Sequence, residues 1–288
     1  MASRVPHHKA VLIADAFRGL FLAVIVLSVA SVVLLPPTEP LWLDIGARIV
    51  AALAAELMSV ALLRQVLPRP VPGSHRIGKS EEYAGWVLSV TLAEVALAAV
   101  VRSPFWILRA TRCLYLRALG ADLAWSATVP PDMFVRDPIL LRIEEGARID
   151  PGVRFETVTY TIGRINVGRV TVGSSASIGH GSMLMPGANV AHQARVGPAV
   201  LIGTDARIGV GASIGPRVVL GERVEIGSYA VIGAGVVIGE GARVSERARV
   251  LAGANVPPDT IIAEREIWPP GASLPETPSS VSLRVVPD

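Results

Sequence analysis

Two histidines, His180 and His192, are the residues of this sequence best suited to acid–base chemistry. They stand in the stretch SIGHGSMLMPGANVAHQARVG, twelve residues apart. Imidazole titrates near pH 6.5, so a neutral histidine can accept a proton at physiological pH. Gly179 and Gly181 flank His180 and would permit the close approach of a ligand, whereas His192 lies in a more ordinary turn. We therefore expect His180, ahead of His192, to be catalytic; the alternative is that both are plain surface histidines.

Metal and nucleic-acid chemistry are poorly supported by composition. A three-histidine zinc site would have to recruit His7, His8 or His75, which lie in or beside the apolar N-terminal third. The single cysteine, Cys113, cannot build a cysteine cluster or an internal disulfide. The net charge of +3 comes without a dense basic block. We expect no metal and no nucleic-acid partner.

The element that positions both histidines follows from a six-residue period. From Val172 to Val256 an aliphatic residue recurs every six residues, fifteen times without a slip, and four residues after each of the first fourteen stands Ala, Ser or Val. An α-helix would repeat every 3.6 residues and a strand every 2, so neither alone explains the spacing. Large aliphatics on flat faces and small residues at tight corners predict a triangular parallel β-helix. We expect the glycine that follows most of these aliphatics to let the chain turn.

In that geometry His180 and His192 occupy two different corners of one coil and cannot share a substrate within one chain. The period also appears upstream, from Leu123 to Val135 and from Ile143 to Phe155, and then breaks between Glu156 and Val170. Such an interruption commonly makes a protruding loop or a shifted strand, and such loops often carry function. A neutral insertion is the alternative.

Two polar residues in this break are candidates for substrate binding because of their location. They are Tyr160 and Asn166. We predict that both line the substrate pocket.

The first third of the chain is apolar in long runs. Gly19 to Leu35 holds no charge and, with the residues before it, reaches about 30 Å as a helix. Ile45 to Leu63 covers roughly 28 Å, although Arg48 and Glu56 interrupt it. Basic residues precede the first run and follow the second, which predicts a two-helix hairpin with both ends in the cytoplasm.

A third run, Tyr83 to Val101, is expected to be re-entrant or interfacial. If it crossed, the arginines that follow would lie outside, against the positive-inside rule; three full crossings are the alternative. The next segment, SPFWILRATRCLYLRALG, is expected to lie on the lipid headgroups with Trp106 and Tyr115 as anchors.

Two carboxylates inside these apolar runs allow a functional interpretation. Glu56 and Glu94 would be costly in a bilayer and so could serve function. The alternative is that they pair with Arg48 or face the headgroups.

Several stretches resemble a known superfamily. SIGHGSMLMPGANV, RIGVGASIG and VIGAGVVIGEGARV resemble the isoleucine-patch repeats of the left-handed β-helix (hexapeptide) acyltransferases, and NVPPDTIIAE resembles the segment that closes their helix. This likeness covers Leu123 to Glu264. More narrowly, YLRALGADLAWSATV, followed by LRIEEGARID and VTVGSSASIGHGSMLMPGANV, is similar to the membrane-bound C-terminal region of poly-ε-lysine-synthetase-like proteins, in which hexapeptide domains follow transmembrane helices.

The resemblance implies a homotrimer with active sites between neighbouring prisms. It also implies a histidine, His180 or His192, as general base on a hydroxyl or amine that attacks a thioester. We therefore expect a membrane-anchored acyltransferase that moves an acyl or aminoacyl group from acyl-CoA or a carrier protein to a small-molecule or lipid-linked acceptor near the membrane. A non-catalytic trimeric membrane scaffold is the alternative.

The expected fold class is an all-β left-handed parallel β-helix preceded by an α-helical membrane domain. Residues 1–119 would hold the membrane-anchoring helices, 120–264 the β-helix and 265–288 a flexible tail. We expect an integral protein of the bacterial inner membrane, in contact with membrane lipid, with the β-helix in the cytoplasm.

Overall fold

The structure is a computed structural model that describes residues 7–34, 41–77, 81–101 and 104–270. Most of the expected tail therefore lies outside the described residues. In the described part, the helices are α1 (His7–Val33), α2 (Leu41–Val66), α3 (Glu81–Val100) and α4 (Arg109–Ala118), with 3-10 turns at Pro104–Ile107 and Pro138–Leu140.

The rest of the chain forms a three-sided parallel β-helix and one small antiparallel sheet. Face 1 consists of β5 (Arg148–Ile149), β10 (Ser177–Ile178), β13 (Arg195–Val196), β16 (Ser213–Ile214), β19 (Val231–Ile232), β22 (Arg249–Val250) and β25 (Ile267–Trp268). Face 2 consists of β3 (Phe134–Val135), β6 (Arg154–Phe155), β11 (Met183–Leu184), β14 (Leu201–Ile202), β17 (Val219–Leu220), β20 (Val237–Ile238) and β23 (Asn255–Val256). Face 3 consists of β2 (Asp122–Leu123), β4 (Leu141–Ile143), β9 (Val170–Val172), β12 (Asn189–Val190), β15 (Arg207–Ile208), β18 (Glu225–Ile226), β21 (Arg243–Val244) and β24 (Ile261–Ile262). The antiparallel sheet consists of β1 (Gly73–Arg76), β7 (Val158–Thr161) and β8 (Arg164–Val167).

The six-residue period is the reason for this architecture, and the predicted fold class is confirmed. Each strand of the regular part pairs with the strand three positions later, so Ile178 lies beside Val196 and Val190 beside Ile208. The fifteen aliphatic side chains of the period are at most 4 % exposed. The small residues at the corners are buried as well.

The glycine that follows most of these aliphatics has a different role from the one expected. Gly209 does not have a positive φ, and a Cβ there would lie 2.7 Å from the backbone carbonyl carbon of Gly227 in the next coil. The turn itself is made two residues later, where Gly211 and Gly235 have φ of +65° and +67°. This glycine is therefore required by the close stacking of coils, and the expectation that it makes the turn is wrong.

The segment after α3 closes the end of the β-helix. Trp106 and Tyr115 are buried in the same core as the first coil, and Nε1 of Trp106 donates to the carbonyl of Pro131 at 2.8 Å. Arg112 is also buried and donates to the carbonyl of Val129 at 2.9 Å. The expectation that these two aromatics are membrane anchors is wrong, because α4 covers the apolar end of the solenoid.

Two helices are long and apolar enough to cross a membrane. The spans are Ala16–Val33, with mean hydropathy 2.3, and Asp44–Val66, with mean hydropathy 1.8. Few of their residues are buried in the protein. The third helix, α3, is continuous and packs against both of them, with Leu92 and Ala96 fully buried.

Several charged residues of the helices have partners within this bundle. Nη2 of Arg18 lies 2.7 Å from Oε2 of Glu94. Nε of Arg48 lies 2.6 Å from Oδ2 of Asp44. Glu56 lies beside Tyr115 of α4. The expected pairing with Arg48 is therefore wrong for Glu94, because Glu94 pairs with Arg18 and Arg48 pairs with Asp44.

A buried polar chain joins the helices to the β-helix. Nη1 of Arg64 donates to Oγ of Ser89 at 2.9 Å, and Oγ of Ser89 donates to Oδ1 of Asp137 at 3.2 Å. All three side chains are buried. The helical part is therefore attached to the first coils by polar as well as apolar contacts.

Candidate active site

The four candidate residues lie at three different corners of the prism. His180 follows β10 and precedes β11, which places it between faces 1 and 2. His192 follows β12 and precedes β13, which places it between faces 3 and 1. Tyr160 and Asn166 lie in the β7–β8 hairpin, which is inserted between faces 2 and 3. One chain does not bring these residues together.

His192 has a hydrogen-bonded partner one coil below it. Its Nδ1 lies 2.7 Å from Oγ of Ser174, which occupies the same corner eighteen residues earlier. The backbone N–H of Ser174 donates to Oε2 of Glu144 at 3.2 Å. With the tautomer that carries its proton on Nδ1, the ring donates to the serine and leaves the Nε2 lone pair available. This arrangement suits a general base.

The side chain of His180 has fewer contacts than that of His192. Its side chain is exposed, and its ring makes no hydrogen bond to another described residue. Its Cε1 lies 3.4 Å from where a Cβ on Gly152 would be, one coil below. Nothing in these surroundings fixes the tautomer of the ring.

Two shallow hollows border the corner of His192. The hollow on face 1 has a volume of about 570 Å³ and is lined by Gln193, Arg195 and Tyr229 among others. The hollow on face 3 has a volume of about 500 Å³ and includes Ala191 and Arg207. Ala191 and Gln193 are the chain neighbours of His192, so the two hollows begin on either side of this corner, and His192 itself is in the lining of neither.

Tyr160 and Asn166 take part in the docking of the hairpin. The ring of Tyr160 lies edge-on to Trp86 of α3, with centroids 6.2 Å apart. Nδ2 of Asn166 donates to Oγ1 of Thr161 at 3.3 Å, and Asn166 pairs with Ser74 of β1. The phase break is therefore a shifted pair of strands that β1 extends into a three-stranded sheet.

No group of three or more His, Cys, Asp or Glu side chains that could hold a metal ion occurs within residues 7–34, 41–77, 81–101 and 104–270.

Comparison with known families identifies the repeat. Residues 205–240 match the model of the bacterial transferase hexapeptide family (six repeats). The β-helix therefore contains hexapeptide repeats of the kind found in transferases. No curated protein matches the chain.

Several solved structures are similar to this chain. A hexapeptide transferase family protein from Anaplasma phagocytophilum is 22 % identical, with 45 % of this chain and 73 % of that chain covered and a TM-score of 0.38. The acetyltransferase domain of PglB from Neisseria gonorrhoeae, in complex with acetyl coenzyme A, is 18 % identical, with coverages of 58 % and 62 % and a TM-score of 0.30. AntD, an N-acyltransferase from Bacillus cereus, is 15 % identical, with coverages of 54 % and 82 % and a TM-score of 0.36.

Sequence reasoning missed Ser174, although a signal for it was present. Residues eighteen apart stack in neighbouring coils of this solenoid, and Ser174 and His192 have that spacing. Searching for polar residues one coil away from each histidine would have separated His192 from His180, whose stacked neighbours Pro151 and Pro198 carry no polar side chain.

Proposed function

We propose that this protein is a membrane-anchored acyltransferase that moves an acyl or aminoacyl group from a thioester to a hydroxyl or amine. The observation that best supports this proposal is the His192–Ser174 pair, at a corner bordered by two hollows. The β-helix that holds this pair contains repeats that match a transferase family. The donor class that the resemblance implies is acyl-CoA or an acylated carrier protein. The acceptor is a small or lipid-linked molecule near the membrane.

We propose His192 as the general base. Nε2 would take the proton from the acceptor as its oxygen or nitrogen attacks the thioester carbonyl. The C–S bond then breaks, a C–O or C–N bond replaces it, and the imidazolium returns the proton to the departing thiolate. Ser174 would hold the ring in position through its contact with Nδ1. His180, which sequence reasoning placed first, is the second candidate.

We also propose a homotrimer with its sites between subunits. Within one chain the hairpin lies at another corner than His192, so Tyr160 and Asn166 could contact the same substrate only across a subunit boundary. A trimer of three-sided prisms would supply such boundaries.

The proposed membrane anchor consists of α1 and α2. Their apolar surfaces are exposed, with Leu27 at 68 % and Val50 at 67 %. Basic residues at both ends of this hairpin favour a cytoplasmic location for the β-helix. The active site would then lie on the side of the membrane where acyl-CoA is made.

The test is consumption of a thioester by the purified full-length protein. A series of acyl-CoA compounds is offered with an extract of bacterial lipids and metabolites, and released CoA is detected by its thiol. The protein's own thiol should add little to this signal, because Cys113 is 1 % exposed. We expect CoA release together with an acylated product detected by mass spectrometry. Lack of turnover of CoA and carrier thioesters by an intact assembly would favour the scaffold alternative.

A further inference from the structure

A polar hollow separate from the two beside His192 lies where α2, α4 and the first coils of the β-helix meet. Its volume is about 500 Å³. Its described lining residues include four arginines and one carboxylate, that of Asp122. Oδ2 of Asp122 lies 3.5 Å from Nε of Arg142, so part of its charge is already compensated. The four arginines are Arg64, Arg69, Arg117 and Arg169.

Two of these arginines are fixed by the protein. Arg64 is 8 % exposed and donates to Oγ of Ser89 at 2.9 Å. Arg117 donates from Nε to the carbonyl of Leu123 at 2.8 Å, and its guanidinium carbon lies 4.5 Å from the ring centroid of Trp125. Both guanidinium groups are therefore held in place at the hollow, at little further entropic cost on binding.

The other two arginines are available to a ligand. The side chains of Arg69 and Arg169 are exposed and make no hydrogen bond or ion pair with another described residue. Four cations around one hollow repel one another; Asp122 and, beside Arg64, Asp137 offset part of this charge, whereas Arg69 and Arg169 have no carboxylate partner among the described residues. An anion in the hollow would relieve that repulsion.

The positive-inside rule accounts for only part of this cluster. Arg64 lies in the last turn of α2 and Arg69 three residues after α2 ends at Val66. Arg169 belongs to the β-helix, directly before β9, and lies a hundred residues after Arg69. Topology does not require a β-helix arginine to line the same hollow as the arginines of the membrane boundary. Their convergence indicates a binding site.

We propose that this hollow binds a phosphate group at the membrane surface. Guanidinium groups match phosphate oxygens in paired hydrogen bonds, and basic pockets beside the cytoplasmic ends of membrane helices suit phosphorylated headgroups. The phosphate comes either from an anionic phospholipid or from a soluble phosphorylated compound. This site goes beyond the proposed acyl transfer, and membrane anchoring enters only for the lipid source.

The test compares two double variants of the full-length protein. Arg69→Gln with Arg169→Gln removes the two available guanidinium groups. Arg76→Gln with Arg249→Gln is the matched control, because it also removes one exposed arginine from the segment between α2 and α3 and one from the β-helix. Lipid binding is measured by native mass spectrometry with phosphatidylglycerol against phosphatidylcholine, and soluble phosphate binding by calorimetry with inorganic pyrophosphate in phospholipid-free detergent.

We expect at least one probe to bind the wild-type protein and the control with similar affinity. The same probe should bind the Arg69→Gln/Arg169→Gln protein at least about 10-fold more weakly. Binding of phosphatidylglycerol alone identifies a lipid source, and binding of pyrophosphate alone identifies a soluble one. Equal binding to both double variants, or no binding of either probe to the wild type, overturns the proposal. Arg169→Gln alone gives the same readout should the double variant fail to fold.

Discussion

Ser174 and His192 are stacked at one corner of the prism, and the hydroxyl of the first fixes the ring of the second. A neutral hydrogen bond of this kind contributes about 1 kcal/mol, so Ser174→Ala should lower kcat by roughly 3- to 10-fold. Ser174→Thr keeps the hydroxyl and should restore the rate. Steady-state kinetics over pH 5–9 measures both. Equal rates for the alanine and threonine variants would contradict the positioning role.

Both candidate histidines follow from the sequence, and the contact with Ser174 is the reason for proposing His192 ahead of His180. His180 and His192 were recognised because imidazole is rare in this chain, and glycines made His180 the first choice. The 2.7 Å contact from His192 to Ser174 depends on stacking between coils, which a search along one coil does not detect. Glycine next to a histidine also has a structural cause here, because Gly179 is required by the backbone of the next coil.

At the element scale, the two kinds of glycine predict different costs. Gly209→Ala places a Cβ 2.7 Å from the next coil's backbone and should destabilise the β-helix by more than about 2 kcal/mol. Gly235→Ala meets no atom within 4 Å and should cost only about 1 kcal/mol for its left-handed backbone. Thermal unfolding of both variants measures the difference. An equal fall in Tm for the two would show that stacking does not constrain this glycine.

The regular elements could be predicted because every coil repeats the same six-residue sequence pattern. The six-residue period specifies the buried face, the corners and the number of strands between Val172 and Val256. The capping role of α4 could not be read in this way. Its arginines and aromatics have the composition of an interfacial helix, and only the open apolar end of the solenoid explains why Trp106 and Tyr115 are buried.

At the scale of the whole molecule, the titration of Asp137 can be used to test the polar contact that joins the helices to the β-helix. Burial raises the pKa of Asp137 to about 6, while Ser89 and Arg64 act in the opposite direction. The unfolded carboxyl has a pKa of 3.8. The folded state therefore retains a proton that the unfolded state releases, and stability falls as pH rises from about 4 to 6, by up to roughly 3 kcal/mol.

Asp137→Asn removes this titration and keeps the shape of the side chain. We expect the Tm of the variant, relative to the wild type, to increase from pH 4 to about pH 6 and to level off above that, in the same detergent. Parallel curves for the two proteins would contradict the role of this buried carboxyl.

The proposed assembly is also tested at this scale. We expect native mass spectrometry in mild detergent to give a homotrimer, because each prism has three flat faces and one chain does not bring the candidate residues together. A dominant monomer that retains transfer activity would place the whole site within one chain.

The most direct test of acyl transfer by a histidine base is the matched pair His192→Ala and His180→Ala. Both side chains are exposed at corners, so neither change should alter folding or assembly, which thermal unfolding and native mass spectrometry check. With one acyl-CoA and one acceptor, we predict that His192→Ala lowers kcat by about 10²- to 10⁴-fold and that His180→Ala stays within a few-fold of the wild type. A fully active His192→Ala protein would contradict the account, and loss of activity in His180→Ala alone would move the active site to the neighbouring corner.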